Sequence, residues 1–185
     1  VGNLLGDFAR GVDQQSLSAE VLQGLINHRR VDQFTDQHSQ VLQMKRSFTA
    51  QRRRFAGIAL DVLFDHYLIK HWQLFSEQPK KQVIDDLYRD LLAGQSIMPE
   101  RMQQVTLKMV EGDWFRAYET LDGVAYALER VVGRIRFSNN FGGVGEELAL
   151  HYPQFEIGFK LFLPDLIERF SSPYIPDGIA DEKIY

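Results

Sequence analysis

One stretch constrains this chain more than any other: residues 55–72, FAGIALDVLFDHYLIKHW. At 100° per residue, Phe55, Ile58, Ala59, Val62, His66 and Ile69 form one stripe, and Leu60, Leu63, Phe64, Leu68 and Trp72 cover most of the remaining surface. A helix that is apolar on nearly all sides belongs inside a packed assembly of helices. Yet this one carries Asp61 and Asp65 one turn apart, with His66 beside Asp65. Buried carboxylates are costly unless they meet a cation. An Arg salt bridge would answer for a lone Asp. Two Asp with an imidazole favour a divalent metal.

The rest of the chain also reads as helical. Ser16 or Ser18 can cap a helix running through Val21, Leu22, Leu25 and Ile26. Apolar-periodic stretches follow at about 37–48, 79–93, 99–111, 113–134 and 154–170. Pro79 and Pro99 stand where a first helical turn begins, which tolerates Pro, whereas Pro164 is expected to kink or divide the last helix. Asn139-Asn140-Phe141-Gly142-Gly143 is the clearest loop. Gly142-Gly143-Val144-Gly145 follows no strand, so it makes a poor nucleotide-binding loop. Strand signals are weak. The expectation is an all-α, single-domain helical bundle over residues 1–170, with 171–185 as an extended tail.

Composition narrows the function classes. The chain has 185 residues, 44% apolar and 25% charged, ordinary values for a globular protein of one core. No apolar run approaches the roughly 20 residues that span a bilayer, and no secretory signal is visible. The absence of Cys excludes disulfides, zinc thiolates and a thiol nucleophile, and fits a cytoplasmic location. The sequence opens Val1-Gly2-Asn3 without an initiator Met, so the native start is expected upstream, where a ligand residue could lie.

Charge is unevenly spread. Residues 28–54 hold seven Lys/Arg against two Asp, within a chain of net charge −4. Lys45, Arg46, Arg52, Arg53 and Arg54 dominate this segment. A solvated face paired with acids elsewhere and a contact surface for an anionic partner fit it equally.

Two further clusters could join the Asp61–Asp65–His66 helix. In HRRVDQFTD (28–36), His28, Asp32 and Asp36 project from one side if helical, with Arg29 and Arg30 alongside. Carboxylate and imidazole hold metal, and Arg grips phosphate. Taken alone, a polar helix end with Arg–Asp pairs is the simpler reading. In GNLLGDFARG (2–11), Asp7 lies between glycines, where spacing alone favours a helix cap. His38, His71 and His151 stand apart from any acid and read as ordinary polar or packing residues. No Ser has a nucleophile-elbow context, and His-Glu-x-x-His is absent. Metal-assisted hydrolysis is the reaction class that remains.

GNLLGDFARG, HRRVDQFTD and LDVLFDHYLIKHW (60–72), in this order and spacing, resemble the bacterial acyl carrier protein phosphodiesterases. The resemblance covers residues 2–72, extends less specifically to about 170 and omits the tail. It implies a hydrolase that cleaves the phosphodiester joining 4′-phosphopantetheine to a Ser of holo-acyl carrier protein, in the setting of fatty acid biosynthesis and lipid metabolism. It also implies a distant likeness to His-Asp metal phosphohydrolases and a preference for manganese. By the same resemblance Asp7, His28, Asp65 and His66 would hold Mn²⁺, Asp61 and Asp32 would assist proton transfer or orient ligands, and Arg29 would bind the phosphodiester. Lys45, Arg46, Arg52, Arg53 and Arg54 would meet the acidic carrier protein. The rival readings are a related metal phosphohydrolase acting on nucleotides, and a non-catalytic helical module that binds an acidic partner through its basic segment. No nucleic-acid or membrane partner is expected.

Overall fold

The computed structural model describes residues 1–132 and 141–171. They form ten α-helices: α1 (Gly2–Leu5), α2 (Ala19–Gln37), α3 (Ser39–Ser47), α4 (Ala56–Lys70), α5 (Trp72–Phe75), α6 (Lys80–Ala93), α7 (Glu100–Glu111), α8 (Trp114–Ala117), α9 (Leu121–Val132) and α10 (Val144–Phe170). There is no strand among the described residues, and the chain is a single all-α domain. No described helix is long and apolar enough to cross a membrane. Asn139, Asn140 and the tail from 172 lie outside the described residues.

The α4 sequence does what its composition demands. Ala59, Leu60, Leu63 and Tyr67 are buried on α4, and α3, α9 and α10 pack around it. Phe48 stacks on Phe155 and Phe64 meets Phe159 at a tilt, so aromatic contacts run through this first core beside its aliphatic side chains. A second core joins Leu5 and Leu25 of α1 and α2 to Ile84, Tyr88, Leu91 and Met102 of α6 and α7. The α2 helix belongs to both: Val21 and Leu25 enter the second core, and Phe34 packs against the first.

Caps fall where short polar side chains permit. The Ser18 Oγ accepts from the Val21 N–H at 3.4 Å to start α2. Thr49 and Arg52 both donate to Glu147, and Arg52 also donates to the Gly142 carbonyl, fastening the α3–α4 connection to the start of α10.

Two expectations change. The 113–134 stretch is broken into α8 and α9, with Asp113 in the left-handed region (φ 45°) at the corner before α8. The last helix is not divided at Pro164. It begins ten residues earlier than the periodicity suggests and runs through both Pro153 and Pro164. Phe155, Phe159, Phe162 and Leu163 are buried along it, and that burial outweighs the roughly 3 kcal/mol cost of an interior Pro.

Candidate active site

Close backbone approach builds the site. A Cβ on Gly2 would lie 2.5 Å from the Val21 carbonyl oxygen, so α1 rests directly on α2. A Cβ on Gly6 would lie 2.0 Å from the His28 ring. Gly6 therefore lets His28 lie against the 3-10 turn Gly6–Phe8 that carries Asp7. The His28 Nε2 is 3.9 Å from Asp7 Oδ1 and 3.0 Å from Asp32 Oδ2, one turn further along α2. Another turn on, Asp36 pairs with Lys45 of α3 at 2.6 Å. Asp7 is thus no helix cap: its turn shows no side-chain cap bond.

The α4 acids face this group. Burial raises the Asp65 carboxyl to about 7, and the charges of Asp61 and Asp7 add to the effect. Asp61 is exposed, unlike the buried carboxylate the sequence suggests, yet partial desolvation of its carboxyl and next the charge of Asp32 raise it to about 6. Lys45 opposes this, while Asp36 and Asp7 reinforce it. Burial also raises Asp7, against the attraction of His28. Asp7, Asp32, Asp61 and Asp65 therefore repel one another across a gap bordered by His28 and Lys45. No cation pairs with Asp65 among the described residues.

His66 does not join them. Successive residues on a helix turn by 100°, so His66 projects away from Asp65. Its Nδ1 donates to the Tyr118 carbonyl at 2.7 Å, and its Nε2 accepts from the Tyr152 hydroxyl at 2.7 Å. Burial lowers its pKa, which favours the neutral ring that this pairing needs. With both nitrogens engaged, neither is available to a metal.

The basic residues divide. The Arg52 guanidinium is committed to Glu147 at 2.6 Å and to Gly142, and Arg53 donates to the carbonyls of Arg46 and Phe48. Arg54 lies over the Phe55 ring. Arg46 and Arg54 are exposed. Arg29 donates to Gln14 at 3.2 Å, one face round α2 from Asp32. Two of the His residues read as standing apart from acids are in fact paired with them. His38 contacts Asp165 at 3.1 Å, and His71 contacts Glu156, which also binds Lys70. His151 packs on Phe155.

The family model described as acyl carrier protein phosphodiesterase matches residues 1–166. The chain belongs to the acyl carrier protein phosphodiesterase family. Curated relatives bearing that name include a Pectobacterium atrosepticum protein, 36% identical over 169 residues, with 91% of this chain and 88% of the relative covered. A Yersinia enterocolitica relative is 31% identical over 170 residues, covering 91% and 88%. One from Photorhabdus laumondii is 30% identical over 178 residues, covering 91% and 86%. No solved structure matches this chain. Enzymes of this family are phosphoric diester hydrolases, and all three motifs lie inside the matched region.

For a phosphodiesterase of this family the donor chemistry suits a hard divalent cation: carboxylates, one imidazole and mutual repulsion to relieve. As the side chains are placed, no three His, Asp or Glu among the described residues are arranged to hold a metal ion.

Proposed function

We propose that this enzyme hydrolyses the 4′-phosphopantetheine phosphodiester of holo-acyl carrier protein in a metal-dependent reaction. The observation that carries the reading is the convergence of Asp7, His28, Asp32, Asp61 and Asp65 from three separate segments, with the α4 carboxyls pushed toward neutrality. The names of the relatives supply the carrier protein as substrate.

Asp7, His28 and Asp65 would hold the cation, with manganese expected from the resemblance. A divalent ion there supplies a lowered pKa for water and neutralises charge on the phosphoryl oxygens. Asp61, raised to about 6, is matched to accept a proton from the attacking water at neutral pH. The water oxygen forms the new bond to phosphorus, the bond to the carrier serine Oγ breaks, and that oxygen takes up the proton that Asp61 removed from the water. Asp32 fixes His28 through the 3.0 Å contact. Lys45 lies beside the acids and attracts the phosphodiester. Arg29, on the adjacent face of α2, guides its approach. The exposed Arg46 and Arg54 extend this charge toward an acidic carrier protein.

The deciding measurement is the mass of holo-carrier protein incubated with the enzyme and Mn²⁺. Loss of phosphopantetheine by the wild type and not by Asp65→Asn is expected. A folded Asp65→Asn with wild-type rate, or no conversion by the wild type with any divalent metal, ends the proposal.

A further inference from the structure

A cavity of about 260 Å³ opens between α4, α8 and α9. Its walls include Val62, Trp114, Tyr118, Tyr126, Ala127 and Arg130. On α4, Val62 projects roughly 60° round from Asp65 and roughly 100° from Asp61, with His66 beyond it. The cavity thus borders the acid face of the same helix, on the side where His66 grips the Tyr118 carbonyl. The wall is braced. Asp113, in its left-handed conformation, accepts from Tyr88 and Arg116, and Arg116 also pairs with Asp85 of α6. A Cβ on Gly123 would lie 1.8 Å from the Ala117 carbonyl oxygen, so α9 starts hard against α8.

The lining selects its occupant. It is mainly aromatic and aliphatic, and it carries one cation. The Arg130 guanidinium lies 5.5 Å from the Trp114 ring centroid and 5.7 Å from that of Tyr126, with no acid partner among the described residues. The volume lies near the roughly 300 Å³ lower end of ligand pockets, and the mainly apolar walls suit an aliphatic chain with few polar groups. We propose that this cavity receives the pantetheine arm of the substrate, while its phosphodiester lies at the acids. Val62 and the aromatic rings pack on the arm's methyl and methylene groups, and Arg130 donates to an amide carbonyl. This rests on the carrier-protein reading above.

The chain has two Trp, so Trp72→Phe leaves Trp114 as the reporter of the cavity. In that background, free pantetheine, which lacks the phosphate, is expected to change Trp114 fluorescence, and inorganic phosphate is not. Ala127→Leu, which fills the cavity, should abolish the response and raise KM for holo-carrier protein about tenfold, equivalent to about 1.4 kcal/mol, with kcat little changed. Should Ala127→Leu fail to fold, the exposed Tyr126→Ala and Arg130→Met are expected to raise KM in the same sense. Folded cavity variants with wild-type KM in an active enzyme overturn the cavity and leave the reaction standing. A wild type that cannot cleave holo-carrier protein, yet shows a pantetheine response lost in Ala127→Leu, supports the cavity and removes the reaction. No pantetheine response overturns the cavity.

Discussion

At Asp65 burial comes first and the charges of Asp61 and Asp7 second, and together they lift the carboxyl to about 7. A raised folded-state pKa means that stability is intact below the ordinary carboxylate value near 4 and is lost as pH rises through about 7. The metal-free protein should therefore melt at progressively lower temperature from pH 4 to pH 8. Asp65→Asn should flatten that profile, and Mn²⁺ should raise the wild-type melting temperature more at pH 8 than at pH 5. Thermal melts across pH, with and without Mn²⁺, check this. Asp61→Asn should cost activity by a factor on the order of 10² to 10⁴ with holo-carrier protein, the span assigned to a proton-transfer group. Glu156 gives the opposite pH sign. Burial opposes its ionisation, but hydrogen bonds from Lys70 and His71 outweigh that, and its carboxyl falls to about 2. Its contribution is present above about 4.5 and lost as pH falls toward 2. The melting-temperature gap between wild type and Glu156→Gln should accordingly close on acidification.

Among the elements, α1 and α2 meet with no room to spare. Gly24→Ala would place a Cβ 2.7 Å from the Gly2 Cα, backbone against backbone, and should cost about 1–3 kcal/mol in denaturant unfolding. Gly6→Ala meets instead the His28 ring, a side chain that can swing away. Its expected signature is a weaker Mn²⁺-induced rise in melting temperature with little loss of metal-free stability. Much at this scale was legible beforehand. The all-round apolar α4 could only be an inside helix, and the four-residue spacing of His28, Asp32 and Asp36 put them on one face of α2. Periodicity says nothing of which face meets which, so bringing Asp7 and His28 to the α4 acids depended on the family resemblance. His66 was misplaced because adjacency in sequence is 100° of rotation on a helix. The partners of His38 and His71, Asp165 and Glu156, lie far along the chain on α10, beyond the reach of local spacing. The path of α10 through two prolines was hidden for a similar reason: what holds it is tertiary burial.

The whole molecule is two apolar cores with charged groups at their boundary. Asp7 comes from the 3-10 turn after α1, His28 from α2, which touches both cores, and Asp61 and Asp65 from the central helix of the first. Arrangement at this scale left no trace in composition, and the basic segment shows why. Its charges looked like a single outward surface, yet Arg52 is balanced inside the fold by Glu147, 95 residues away. The boundary has a mechanical consequence. Packing draws α2 and α4 into one fold, but the carboxylates they and the Asp7 turn present across the site push apart. A cation seated there would act as a clasp, joining α2 to α4 more firmly than their packing does alone. Loading it should slow amide exchange on both helices together, so that filling the site and tightening its walls become a single event.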